Sequence, residues 1–288
     1  MFAPLEILCC CAPEDQEMQE ELKKHLTLLE RMGQIRILSD TNLNLGLQWE
    51  KELHELLERV AIILLLISPD FMKSDHCYNK MAQAIERHNQ GTTYVIPVLL
   101  RATFWRTAPF ATLQVVPTDA KPVTNWPNND DAFQDITEHI DRIVSELQIR
   151  RALVEADTHF HNGHYKEALA TYKLVLASAP QAHRYEQAGK TCLQLAYYEE
   201  ALEMYEQAIQ TTNEHKPSLY AGKGQALLQL ERYDDALPCY QTAIKLSAPD
   251  TDPQLYHDLG TLHERLAQRA YAMEQQILAE RQPKTEPE

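Results

Sequence analysis

The sequence predicts an α/β domain built on a parallel sheet, followed by an all-α solenoid of paired helices. Between Leu5 and Leu147 the apolar residues alternate between short continuous runs and helical spacing, the pattern of a parallel sheet covered by helices on both faces. The run "VAIILLLI", Val60 to Ile67, is apolar on both of its faces, as a central strand requires. From Arg151 onward the chain repeats itself, with Ala168, Ala201 and Ala236 spaced 33 and 35 residues apart.

Leu5 to Cys11 reads as the first strand. Pro13 then sits at a first helical turn, Glu14 and Asp15 favour the positive end of the helix dipole, and Met18, Leu22, Leu26 and Leu29 line one face of a helix reaching about Met32. Ile35 to Leu38 is a short second strand, Asp40 to Gly46 a loop, and Trp49 to Arg59 a helix with a solvated acidic face. Ser68-Pro69-Asp70 ends the central strand, a helix follows through His88, and "TTYVIPVLL" from Thr92 to Leu99 or Leu100 is the next strand. After a long loop with Pro and Trp, a last helix starts near Asp130 and turns Phe133, Ile136, Ile140, Ile143 and Leu147 inward. No Gly, Pro or Ser-rich linker separates Leu147 from Leu153, so this helix continues or bends once.

In the second half the segments "YKEALATYKLVL", "YEEALEMYEQAI" and "YDDALPCYQTAI" each begin a second helix of a hairpin. Ala156, Gly189, Gly224 and Gly260 fall where paired helices approach closely, and Tyr172, Tyr205 and Tyr240 fill the gaps beside them. Three hairpins precede a looser helix pair, Gln254 to Glu280, which caps the stack with a polar outer face. The expected division is thus residues 1–148, 149–280 and a disordered tail at 281–288.

The net charge is −15, with 13 basic against 22 acidic residues up to Gln148 and 14 against 20 after it. Neither half carries a basic footprint for phosphates, which argues against nucleic acid. The longest apolar run is far short of the roughly 20 residues that span a bilayer, and the first residues lack a signal's positive region, so the expectation is a cytoplasmic protein. The six cysteines, including adjacent Cys9, Cys10 and Cys11, match neither a disulfide framework nor a zinc spacing, and no metal is expected.

A sheet of this kind binds ligands beyond the carboxyl ends of its strands, where the winding reverses. The candidate site is Cys10 to Pro13, the loop Ser39 to Gln48 and the turn Ser68 to Cys77. No Gly-rich phosphate loop occurs anywhere in the chain. Within these segments "LCCCAPED", "SDTNLNLGLQW", "AIILLLISPDFMKSDHCY" and "ERH" before "VIPVLLR", with the later "PFATLQVVP", "KPVTNWP" and "DDAF", resemble the TIR (Toll/interleukin-1 receptor-like) family, especially its bacterial members. The resemblance implies a flavodoxin-like domain that self-associates and in many members cleaves NAD between ribose and nicotinamide. NAD is thus a possible substrate or ligand, no bound cofactor being expected. The pocket candidates are Cys11, Ala12, Asp40, Gly46, Trp49, Ser68, Asp75 and Cys77, with Asp40 and Asp75 read most simply as loop anchors or helix caps and Trp49 as packing. Leu43 and Leu45 in the loop are candidates for self-association.

NAD-cleaving members use a glutamate early in the helix after "SPDF", where a carboxylate stabilises an oxocarbenium-like sugar. Here that position is Lys80 or, by another spacing, Met81. Glu86 is six residues further on, about 120° around the helix and about 9 Å along it, a poor substitute. A cation about 4 Å from a cationic transition state is repelled by about 4 kcal/mol at an effective dielectric of 20. The simplest reading of Lys80 is a solvent-facing lysine without catalytic function. Turnover is then weak or absent, and the alternative is an NAD glycohydrolase activated by assembly.

The second half resembles tetratricopeptide (TPR) repeats, whose concave side binds a protein or peptide. By that resemblance Arg150, Asp157, His183, Glu186, Lys190 and Gln225 face inward, a mixture without the lysine and asparagine cluster of relatives that clamp a terminal carboxylate.

Overall fold

The apolar runs become strands because only a sheet can bury a segment on both faces while satisfying its backbone. The computed structural model describes residues 3–39, 56–57, 59–247 and 253–281. Strands β1 (Leu5–Cys10), β2 (Ile35–Ser39), β3 (Ile62–Ile67) and β4 (Tyr94–Leu99) form a parallel sheet of order β2-β1-β3-β4. Ile7 lies opposite Ile37 on one side and Ile62 on the other, and Ile62 opposite Tyr94.

Alternation along the strands sends two sets of side chains to two separate cores. Ile7, Cys9, Ile62, Leu64, Leu66, Ile96 and Val98 pack against Leu22, Leu26 and Leu29 of α1 (Gln16–Arg31) and Ile136 and Ile140 of α4 (Asn129–His161). Leu8, Cys10, Ile63, Leu65, Ile67, Val95 and Leu99 face the other way, against Phe71 of α2 (Pro69–Lys73) and Cys77, Met81, Ala84 and Ile85 of α3 (Asp75–Asn89). Pro13–Asp15 forms a 3-10 turn ahead of α1, so the helix starts later than Pro13 alone suggests.

The contacts divide into two units, Met1–Arg150 and Arg151–Glu288. In the second unit the end of α4 packs against α5 (Tyr165–Ser178), α6 (Ala182–Gln194) against α7 (Tyr198–Thr211), and α8 (Pro217–Gln229) against α9 (Tyr233–Ser247). The expected closing helix pair is instead one helix, α10 (Pro253–Arg281). Nothing in Gln254 to Glu280 breaks it: the segment holds no proline, and its one glycine, Gly260, costs only about 1 kcal/mol.

Tyr172, Tyr205 and Tyr240 are buried as the repeat reading requires. A Cβ on Gly189 would meet the Tyr205 ring at 3.0 Å and one on Gly224 the Tyr240 ring at 3.1 Å. Gly260 departs from this pattern: it is exposed, with nothing within 4 Å of a Cβ placed there. A close approach needs a tyrosine from a following helix, and α10 is the last element described. Gly222, absent from the sequence expectation, is the tightest, with Tyr205 Cζ 2.2 Å from such a Cβ.

Candidate functional site

Because β1 leads out to β2 on one side and has β3 on the other, the winding reverses between β1 and β3, the place beyond whose carboxyl ends open sheets of this kind bind ligands. The backbone continues from β1 through Cys11 and Ala12, both buried. Cys11 Sγ donates to Gln19 Oε1 at 3.1 Å. From β3 comes Ser68, fully buried, which caps α2 by accepting from Phe71 N at 3.1 Å.

Ser68 Oγ also donates to Asp15 Oδ2, a link the sequence did not suggest. Asp15 is buried, and Arg101, just past β4, donates to it through Nε at 3.0 Å and ion-pairs to it at 2.8 Å. The same guanidinium holds Asp70 at the start of α2. The Asp70 hydrogen bond raises the Arg101 pKa, burial opposes this, and Asp15 adds to the rise. Two carboxylates, a hydroxyl and a guanidinium thus tie the ends of β1, β3 and β4 together. Asp15 had been credited only with favouring a helix dipole; "LLR" gave Arg101 no distinguishing local spacing.

Ser74 caps α3, accepting from Cys77 N at 3.3 Å. The capping role considered for Asp75 belongs to Ser74, and Asp75 is the exposed first residue of the helix. Cys77 is buried and its thiol donates to the carbonyl of Cys11 at 3.7 Å, fastening the first turn of α3 to the end of β1. Cys11, Ala12, Ser68 and Cys77 are therefore brought together. Asp40, Leu43, Leu45, Gly46 and Trp49 lie outside the described residues.

Lys80 comes one turn after Cys77 on the same buried face as Met81 and Ala84, with 4% of its surface exposed. The solvent-facing reading of Lys80 is therefore corrected. An ammonium is buried only where polar groups compensate for its lost water, and Lys80 does take part in such an interaction. Glu86, on the same helix, is exposed. His88 is half-buried and accepts from Val95 N at 3.3 Å. Among the described residues, no group of three or more His, Cys, Asp or Glu is placed to hold a metal ion, and no helix is long and apolar enough to cross a membrane.

The repeat unit holds a groove of about 500 Å³ lined by residues from Phe160 to Asp258, among them Lys190 and Gln225. Glu186 lies behind Lys190, bonded to it at 2.8 Å, rather than in the lining. Asp157 and His183 are exposed and outside it, Asp157 accepting from the Tyr172 hydroxyl at 2.5 Å, and Arg150 falls in the first unit.

The family model described as TIR domain matches residues 7–137. Residues 7–137 form a TIR domain. Two tetratricopeptide repeat models match residues 182–215 and 217–247, the α6–α7 and α8–α9 hairpins. A relative from Sinorhizobium fredii, the uncharacterized protein y4lF, is 39% identical over 127 residues, 44% of this chain. The match spans 39% of that relative's length. Among solved structures, the Sgt2 TPR domain from Aspergillus fumigatus matches 49% of this chain and 87% of its own, at 15% identity and a TM-score of 0.40. The second TPR domain of human RPAP3, solved in complex with an HSP70 peptide, matches 41% of this chain and 98% of its own, at 22% identity and a TM-score of 0.38. A flavodoxin-like TIR domain followed by TPR helices is an architecture that supports a signalling or protein-interaction role.

Proposed function

We propose that this chain is a cytoplasmic signalling or defence protein whose TIR half self-associates and whose repeats bind a protein or peptide partner, with little or no turnover of NAD. The observation that carries the reading is Lys80. It is buried one turn past Cys77, which is fastened to the end of β1, at the position where NAD-cleaving relatives are expected to hold a glutamate. A lysine there supplies no carboxylate to stabilise the positive charge that develops on the ribose as nicotinamide departs. Glu86 is exposed on another face of α3 and offers no replacement.

The alternative, an NAD glycohydrolase switched on by assembly, draws on the crevice itself, where Cys11, Ala12, Ser68 and Cys77 converge at the switch point. One experiment separates the two. Concentrated full-length protein is incubated with NAD and nicotinamide release is followed, beside Lys80→Glu and Glu86→Ala variants. The wild type is expected to match the buffer control. Robust release that disappears in Glu86→Ala would sink the proposal, and activity gained by Lys80→Glu would indicate a crevice otherwise fit for the reaction.

A further inference from the structure

The repeat groove has an uneven charge. Its apolar walls include Phe160, Leu193, Tyr205 and Leu255, contributed by α4, α6, α7 and α10. A volume of about 500 Å³ lies within the range of ligand pockets, and walls of this kind take side chains of an extended or helical segment. Among the described residues, two charged side chains line it, Lys190 and Asp258.

These two do not cancel. Lys190 is already engaged by Glu186 at 2.8 Å, and the Glu186 side chain is only 9% exposed. Burial pushes the Glu186 pKa up, but hydrogen bonds from Lys190 and Ser218 outweigh it, leaving the pKa below its ordinary value and the carboxylate ionised at neutral pH. That pair is neutral as a unit. Asp258 is half-buried, and it accepts at 2.8 Å from the Gln254 amide, which is neutral. Lys223, on the same helix as Gln225, is taken up by Glu206 at 2.9 Å. Beyond the groove, residues 151–281 carry twelve basic against eighteen acidic residues, so the longer-range field has the same sign as Asp258.

We infer that the groove takes a cationic segment of a partner protein, an apolar anchor flanked by lysine or arginine, with Asp258 receiving the positive charge. This rests on the reading of the repeats as a partner-binding surface and names the chemistry of that partner.

The test selects peptides from a random dodecapeptide library displayed on phage, with the immobilised full-length chain as target. Only peptides whose binding is lost to Ala221→Trp, which fills the groove, are scored. Circular dichroism confirms that this variant is folded, and Gln225→Trp replaces it if it is not. The scored pool is expected to be enriched in Lys and Arg. Its best members should weaken about tenfold on Asp258→Asn, the loss of one charge-assisted hydrogen bond, and Asp258→Lys should turn the selected pool acidic. A scored pool that is acidic or charge-neutral, or cationic peptides that bind Asp258→Lys as well as wild type, overturns the inference while leaving the groove a peptide site. If no enriched peptide is sensitive to the filled groove, the partner-binding reading of this surface fails as well.

Discussion

Asp15 is the residue whose local sequence says least about what it does. In "PEDQ" it reads as one more acid at a helix start, yet its carboxylate is buried between Ser68 and Arg101, 53 and 86 positions away in the chain. Such a network has no local spacing, and so no reading along the chain could assemble it. Its energetics are lopsided: a buried carboxylate with its cation removed costs far more than the pair contributes. Arg101→Gln should therefore destabilise the TIR unit by about 3 kcal/mol. Asp15→Asn, which removes the charge rather than its compensation, should cost less, and the double variant less than the two losses added. Urea unfolding of the three variants measures this; additive losses would mean the groups act independently. The burial of Lys80 was not legible, because an amphipathic pattern assigns lysine to solvent and only the packed helix shows otherwise.

At the scale of the helix and its turn, the repeat pattern was legible where it is periodic and misread where the period ends. Gly260 continues the series of Gly189 and Gly224, but a small residue is required only where a tyrosine from the next helix arrives. Gly222 lies two residues out of register, so the period passed over it. Gly222→Ala should lower stability by about 1–2 kcal/mol, since the Tyr205 ring is buried and has little room to yield. Gly260→Ala should raise it by about 0.5–1 kcal/mol through helix propensity alone. Equal effects in thermal melts would refute this assignment. The hairpin turns carry a second periodicity that composition conceals. Gly163, Ala196 and Glu231 occupy equivalent positions with φ of 78°, 56° and 59°. Each turn closes its helix with paired backbone bonds, such as Tyr197 N to Cys192 O at 2.9 Å and Arg232 N to Leu227 O at 2.9 Å. Only the first turn has the residue that adopts this conformation freely. Ala196→Gly and Glu231→Gly should each stabilise the repeats by about 1 kcal/mol, and Gly163→Ala, which meets no neighbour within 4 Å, should destabilise them by a similar amount from backbone strain alone. Calorimetric melting of the three variants checks the signs.

Across the whole molecule the sheet-then-solenoid order was legible because each half repeats one physical rule over many residues: two-faced apolar runs in the first, helical hairpins of fixed period in the second. Individual site residues are set by contacts between distant segments, and the segment from Asp40 to Gly46 falls outside the described residues altogether. That segment nevertheless supports a prediction at this scale. Its sequence "DTNLNLG" sets Leu43 and Leu45 among polar turn-formers, and the resemblance to the TIR family implies self-association, so the assembly surface is expected in the first half, with the repeats controlling it. A net charge of −15 opposes close approach of two copies, and salt should strengthen assembly by screening that repulsion. Head-to-tail contacts would extend into filaments, whereas twofold contacts would stop at a dimer. Light scattering of the full chain at low and moderate salt should show mass growing with salt. The Leu43→Asp, Leu45→Asp variant should stay small under both conditions, and so should residues 149–288 alone. If the repeat fragment assembles as well as the full chain and the loop variant assembles undiminished, the surface lies in the repeats and the TIR half is not what brings copies together.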